Sequence, residues 1–315
     1  EGKPAVGCTD KNYVLGPNNE GKRISVRVTS SRLGFNPVTK ESDKYLVGLG
    51  TISNVVIPTI VGVSVIGSSL SVDTGQWSQD VSFSYEWLRN GVVIQDARSS
   101  TYMPVLSDYK ASLSVRVTAE KGGYRPLSVA SPEKLVGEGA LPKSAIPETY
   151  GNFNVGEILS VNPGDWGSGV TFKYQWLRNG APIPGAIMST YATTNLDYTK
   201  KISVRVEGQK TGFSSKVETS LERTVWKGFL TKTSVPKILG IAKINQTLTV
   251  SPGKWDSGVS FTYQWLRNGN AIPKANSIKY RITSGDKGKR ISLKITGKKS
   301  GFQEVDHTSV SIRVN

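Results

Sequence analysis

A gapless repeat of 89 residues governs what this chain of 315 residues can fold into. The motif Tyr-Glu/Gln-Trp-Leu-Arg-Asn-Gly occurs three times, with its tryptophan at Trp87, Trp176 and Trp265. A second tryptophan, ten residues earlier, keeps the interval at Trp77, Trp166 and Trp255. Tyr102, Tyr191 and Tyr280 follow the same period, and Tyr13 stands one period upstream. The segments 21–28 (GKRISVRV), 111–117 (ASLSVRV), 200–206 (KKISVRV) and 289–295 (KRISLKI) share this register. So do Gly34-Phe35, Gly123-Tyr124, Gly212-Phe213 and Gly301-Phe302. A period held along the whole chain marks tandem duplication.

Within one unit the hydrophobic period is two. Val170, Phe172, Tyr174 and Trp176 alternate with Thr171, Lys173, Gln175 and Leu177, which turns one face of a strand into a core. Arg-Asn-Gly at 178–180 supplies the pair that favours a type I′ hairpin turn. Ile202, Val204 and Val206 alternate with Lys201, Ser203 and Arg205 in a second half-buried strand, and Leu159 and Val161 end in the turn signal Asn162-Pro163-Gly164. With 15 prolines and 33 glycines punctuating the chain, no room is left for a helix of useful length. Short strands in units of this size predict an all-β protein of antiparallel β-sandwiches.

The stretch YQWLRNG with Ile-Pro after it, then Thr-Tyr or Lys-Tyr, then DKGKRISLK at 286–294, resembles a known type of repeat. It is similar to the bacterial immunoglobulin-like tandem repeats at the C-terminal ends of secreted actinobacterial cell-wall amidases, glycoside hydrolases and other surface proteins. The resemblance covers essentially the whole chain. It implies tandem immunoglobulin-like sandwiches in an elongated rod, an extracellular or cell-surface location, and Trp87, Trp176 and Trp265 as the core tryptophans of the third strand. Two departures stand out: the paired cysteines are absent, and Ile or Leu replaces the usual corner tyrosine. Each core must then hold by packing alone.

The proline-led starts Ile57-Pro58, Ile146-Pro147 and Val235-Pro236 place complete units at 53–139, 140–229 and 230–315, joined by short linkers that make a semi-rigid array. Residues 1–52 are an incomplete unit. Glu1-Gly2 aligns with Asn90-Gly91, so about 33 residues of a sandwich have no counterpart, including the strand richest in aromatics. The leading expectation is a fragment of a longer protein; the alternative is that another chain supplies the strands, as in strand-donating fibres. Either way the apolar face of Ile24, Val26 and Val28 is expected to be covered by a neighbouring copy, by an upstream fragment, or by collapse onto the second unit.

The chemistry of catalysis is missing from the repeat. No pair of carboxylates recurs at 89, and one Cys and one His exclude a disulfide framework, a Cys/His zinc site and a His-centred triad. No cofactor or metal is expected. Asp108, Asp197 and Asp286 do recur, before a strand start, as acceptors for backbone N–H groups of a turn, with Asn19 in that place in the first unit. His307 is read as a surface residue. Cys8 aligns with Ala97, Ala186 and Ala275 and is expected to be small and buried, an intermolecular disulfide being the lesser option. If the parent protein is an enzyme, its catalytic domain lies upstream of residue 1.

Binding has more support. Trp77, Trp166 and Trp255 lie in glycine-containing turns, where a tryptophan either covers the end of the sandwich or faces solvent and stacks on a sugar ring. Trp226, outside the repeat, is expected to wedge between units. The formal net charge of +16 is uneven: residues 1–52 carry +3, residues 53–141 carry −1, residues 142–230 carry +3 and residues 231–315 carry +11. Lys289, Arg290, Lys294, Lys298 and Lys299 fall within eleven residues of the last unit. The sequence therefore predicts a non-catalytic module that anchors or displays a secreted protein at the cell envelope, by multivalent and electrostatic binding to an anionic wall polysaccharide or teichoic-type polymer. Nucleic acid fits the charge but no recognition motif is present. The alternative is a passive spacer or fibre segment that self-associates, or takes an upstream fragment, through residues 1–50. No membrane insertion is expected.

Overall fold

Alternation of apolar and polar side chains becomes paired strands in the computed structural model, which describes residues 2–5, 7–78 and 80–315. The strand carrying each Trp-Leu-Arg motif pairs antiparallel along its whole length with a long partner. Ser82–Arg89 pairs with Ser112–Glu120, Thr171–Arg178 with Lys201–Lys210, and Ser260–Arg267 with Arg290–Lys298. The register is the same each time, with Trp87 opposite Val115, Trp176 opposite Val204 and Trp265 opposite Leu293. The Asn-Gly turns have both residues at positive φ, for instance 47° and 79° at Asn179 and Gly180, as a type I′ turn requires. The Asn179 side chain then accepts a hydrogen bond from the Lys201 N–H, at 2.9 Å.

Each of these long pairs belongs to a larger antiparallel sheet that faces a three-stranded one. In the second repeat the small sheet is Thr59–Val61, Leu70–Asp73 and Thr101–Tyr102, and the large one adds Val92–Val93, Leu127–Ala130 and Lys134–Leu135. The small sheets of the third and fourth repeats are Glu148–Tyr150, Ile158–Asn162, Thr190–Ala192 and Lys237–Leu239, Thr247–Ser251, Lys279–Arg281. This is the immunoglobulin-like β-sandwich in tandem. Its helical residues, among those described, are short 3-10 turns at Pro17–Asn19, Leu106–Asp108, Asn195–Asp197 and Ser284–Asp286, again 89 apart.

The cores lie between the paired sheets. Trp87 packs with Ile66, Leu70, Leu113, Val115 and Val136, and Trp265 with Leu248, Ile282, Ile291, Leu293 and Val314. Trp87, Trp176 and Trp265 are all wholly buried. Each indole stacks on the tyrosine of the facing sheet, as Trp176 does on Tyr191 with centroids 5.6 Å apart. Each indole N–H also donates to a loop carbonyl, from Trp87 to Ser99, from Trp176 to Met188 and from Trp265 to Ser277.

The chain divides into two compact units, Glu1–Ala140 with Thr211–Ser214, and Leu141–Lys210 with Ser215–Asn315. Within each unit the same joint recurs, built from the aromatic of a Gly-Phe or Gly-Tyr turn and a linker glycine. In the first unit Gly50 pairs parallel with Tyr124 and Gly139 with Phe213; in the second Gly228 pairs with Phe302. The linker N–H donates to the carbonyl of the turn glycine each time, from Gly50 to Gly123 at 2.9 Å, Gly139 to Gly212 at 3.0 Å and Gly228 to Gly301 at 2.9 Å. The linker glycine is there for space: a Cβ on Gly228 would run into the Val155 carbonyl and the Phe302 ring. Trp226 is not the wedge the sequence suggested. Its backbone is pinned, its N–H donating to the Phe153 carbonyl at 2.7 Å, yet the residue is 64% exposed because Phe302 already fills the joint.

Residues 1–52 keep two strand pairs, Arg23–Ile24 with Tyr45–Leu46 and Arg27–Ser30 with Val38–Glu41. Within the chain their apolar face is open: Val26 is 58% and Val28 62% exposed, whereas their counterparts Val115 and Val117 are wholly buried. Collapse onto the second repeat has not occurred, since both valines remain more than half exposed. Cys8 is likewise exposed rather than buried. The equivalent alanines gain their partial shelter from the Trp strand, as when the Trp87 N–H donates to the Ala97 carbonyl at 3.1 Å.

Replacing Trp176 by alanine removes a wholly buried ring and strands the Met188 carbonyl, so it should cost about 3–5 kcal/mol of stability in denaturant unfolding. A cost under about 1 kcal/mol would show that the ring does not carry the core.

Candidate functional site

The loop tryptophans come first. Each N–H turns back on its own loop, from Trp77 to the Thr74 carbonyl at 2.6 Å, Trp166 to Pro163 at 2.8 Å and Trp255 to Pro252 at 3.0 Å. Each ring meets a strand phenylalanine edge-on: Phe83, Phe172 and Phe261, with centroids 5.6, 5.7 and 5.3 Å away. The ring lies over the long strand where only a small residue fits. A Cβ on Gly208 would enter the Trp166 ring and one on Gly297 the Trp255 ring, and Ala119 takes that place below Trp77. Trp166 is 2% exposed and Trp77 and Trp255 are half-buried. These side chains lie as lids on the sandwich ends, and Trp166 has no free face for a sugar ring.

The recurring aspartates hold a denser cluster than a turn cap. Asp286 accepts from the Arg267 Nε at 2.7 Å, the Tyr280 hydroxyl at 2.8 Å, and the Thr283 N–H and hydroxyl at 2.7 and 2.9 Å. Arg178, Tyr191 and Thr194 surround Asp197 in the same way, and Arg89, Tyr102 and Val105 surround Asp108. All three carboxylates are wholly buried. Burial alone would raise the Asp286 carboxyl, but its N–H and O–H donors outweigh that and hold it below the usual carboxylate range. Burial first, then the hydrogen bond to Asp286, pushes the Tyr280 hydroxyl up. With every oxygen already engaged by donors, these groups serve the fold and offer nothing to a substrate or a cation. In the first repeat Asn19 takes the place, accepting from the Gly16 N–H at 2.9 Å and the Tyr13 hydroxyl at 3.2 Å.

The five basic residues do not form one site. Lys289 and Arg290 lie at the start of the strand Arg290–Lys298, and Lys298 and Lys299 at its end, about 26 Å further along. Lys294 pairs with Asp306 at 2.6 Å and Lys298 with Glu304 at 3.1 Å, all four side chains about half exposed. The hydrogen bond from Lys294, then that from the Thr296 hydroxyl, holds the Asp306 carboxyl below its ordinary value. Exposed pairs of this kind are worth about 0–1 kcal/mol, so an incoming anion displaces the carboxylate at little cost. The Lys299 ammonium lies 4.5 Å from the Phe302 ring centroid, and Arg290 reaches the Ser311 hydroxyl at 3.3 Å.

His307 departs from its reading as a surface residue. It is half-buried, its ring meets Trp255 edge-on at 5.6 Å, and its Nε2 is buried with no partner. The strand Val305–Thr308 tucks it under the loop lid, which the polar residues around it conceal in the sequence. No helix among the described residues is long and apolar enough to cross a membrane.

No protein-family model and no curated protein matches the chain. Among solved structures, similarity is found to a chain described as a Ca2+-stabilized adhesin that helps an Antarctic bacterium reach out and bind ice. It is 12% identical, covers 92% of this chain and 81% of its own, and has a TM-score of 0.39. The ICAM-5 D1–D4 ectodomain fragment is 13% identical over 93% of this chain and 84% of its own, with a TM-score of 0.38. Domains A168–A170 of titin are 11% identical over 84% and 97%, with a TM-score of 0.25. The fold assignment rests on the strand pairing described above.

Asp286→Asn should lower stability by about 2 kcal/mol at pH 7, since it removes the charge that Arg267, Tyr280 and Thr283 all bond. The native carboxyl lies below its unfolded value of about 3.9, so its contribution is full above that value and is lost as pH falls through the native one. The native chain should therefore lose more stability between pH 5 and pH 3 than the variant, in denaturant melts at each pH. Parallel losses would remove Asp286 from the acid response.

Proposed function

We propose that this chain is a non-catalytic extracellular module that holds a secreted protein at the cell envelope by binding an anionic wall glycopolymer. The observation that carries this is the charge of +11 confined to residues 231–315, on a fold whose other repeats are nearly neutral. Lys289, Arg290, Lys298 and Lys299 present that charge at the two ends of one rigid strand, spaced for contacts along a polymer rather than for one small molecule. Recurrent carboxylates and aromatics are absorbed by the cores, which argues against a reaction within the repeats. Proteins built from such repeats at the surface of bacteria give the reading its setting, through the resemblance of the YQWLRNG motif.

The purified chain should be retained on isolated envelope material at low salt and released as ionic strength rises through about 0.15–0.5 M, where screening shortens to a few ångströms. No retention at any salt would refute the reading.

A second reading has its own observation, the exposed Val26 and Val28 face of the first repeat. A strand from an upstream fragment or another protomer laid across it would complete the sandwich and extend a fibre. Light scattering over a concentration series checks this: a species of constant 34.1 kDa mass would oppose fibre assembly.

A further inference from the structure

We infer that an open cavity of about 270 Å³ in the second unit, where the linker lysine Lys227 faces the turn after the strand Arg290–Lys298, is a binding site for a phosphate group of a phosphodiester-linked glycopolymer. The inference rests on the envelope reading above and gives it a location. Lys227, Lys298 and Lys299 line the cavity with Ser260, Ser300 and Glu304.

The three ammonium groups come from backbone that cannot move far. Lys227 sits between two pinned neighbours: the Trp226 N–H donates to the Phe153 carbonyl, and Gly228 exchanges hydrogen bonds with Gly301 and Gln303 at 2.9 and 2.8 Å. Lys298 ends a strand paired on both sides, and Lys299 opens a turn closed by the Phe302 N–H bonding back to its carbonyl at 3.0 Å. Glu304 is the one carboxylate in the lining, and it pairs with Lys298. The three cations outnumber the one carboxylate of the lining, with Asp256 and Asp306 also within the field of Lys299 and Lys298. The Lys298–Glu304 pair is half exposed on both sides, so a phosphate that displaces Glu304 exchanges one weak ion pair for contact with several ammonium groups.

The chemistry of the lining selects among anions. No arginine is present, so the forked geometry that grips a planar carboxylate is missing, while lysines act as point charges that surround a tetrahedral oxyanion from any side. The Ser300 hydroxyl adds a donor at the rim. The Ser260 hydroxyl already donates to the Lys298 carbonyl at 3.2 Å and helps hold the strand end. The Phe302 ring is occupied by the joint and by Lys299, so it offers no platform for a nucleic-acid base.

The repeat supplies an internal control. The docking residues recur in every joint, yet the positions of Lys227, Lys298 and Lys299 read Glu138, Gln209 and Lys210 one period upstream, and Leu49, Glu120 and Lys121 two periods upstream. Docking therefore works without Lys227 and Lys298, while a lysine stands at the place of Lys299 in all three joints. What sets the last joint apart is the addition of Lys227 and Lys298 beside that shared lysine, where the chain is most basic.

Two measurements on the full chain test the site. Titration with inorganic pyrophosphate should shift the backbone amide resonances of Lys227, Lys299 and Gly301 before those of Lys289 and Arg290. On an immobilised glycerol phosphate polymer, Lys227→Ser/Lys299→Ser should weaken retention about tenfold, while Lys237→Ser/Lys279→Ser, the same charge change on the other sheet, weakens it less than about twofold. Equal losses in the two variants, or no amide shifts at the cavity, overturn the site. Retention as strong on polygalacturonate or on a single-stranded oligonucleotide overturns the choice of a phosphodiester glycopolymer. Amide shifts without retention on any polymer support the anion site and refute the envelope reading, and retention without amide shifts does the reverse.

Discussion

Each complete sandwich depends on one indole held between two sheets without a covalent tie. Trp176 shows how much that side chain fixes: its ring stacks on Tyr191, its N–H ties the loop at Met188, and its strand lies against Val204. Two residues further on, Arg178 reaches the buried carboxylate of Asp197, which in turn receives the hydroxyl of that same Tyr191. An aromatic stack and an ion pair to a buried carboxylate thus share one tyrosine. The sheets are clamped at the centre by packing and at the end by charge. A disulfide would link the same two layers with one bond, whereas this arrangement needs no oxidising step and spreads the tie over four side chains. The open first repeat shows the converse: without the indole strand, the valines that line the other cores stand in water.

Much of this was legible in the chain. Period-two alternation marked the strands, and Asn-Gly marked the hairpins, because local backbone geometry forces both. The core tryptophans were legible from the strand that bears them. What escaped was set by partners distant in sequence. Asp286 reads as a turn cap from its neighbours, and its arginine lies 19 residues upstream at Arg267. The lid role of Trp166 depends on Gly208, 42 residues away, whose missing side chain makes the seat for the ring. Both partners recur at 89, so the signal was present as a shared period rather than as a local motif. Trp226 and His307 were misplaced for a related reason. Each occurs once, so the repeat gives no check on it, and its setting depends on what already fills the joint or the lid.

Function divides along the same line between what repeats and what does not. The recurring polar and aromatic side chains are used up in holding each sandwich, which leaves the individual surface of each copy free to differ. The last copy differs by charge, and its basic residues stand on and at the two ends of the paired strand Arg290–Lys298, whose backbone the ladder holds in place. The counter-charges Glu304 and Asp306 keep part of that field in check, through pairs weak enough to open. The chemistry of recognition is thereby separated from the chemistry of folding.

The joint has a further consequence for how such a chain changes over generations. Its two halves, the linker glycine and the Gly-aromatic turn, are both written into the 89-residue period. A recombination event that inserts or deletes one whole period therefore restores a matching pair at the new boundary. Copy number can drift without any substitution having to follow. Gly228 and Phe302 are in that sense a standard coupling, and the number of copies becomes a trait that selection can adjust in whole steps.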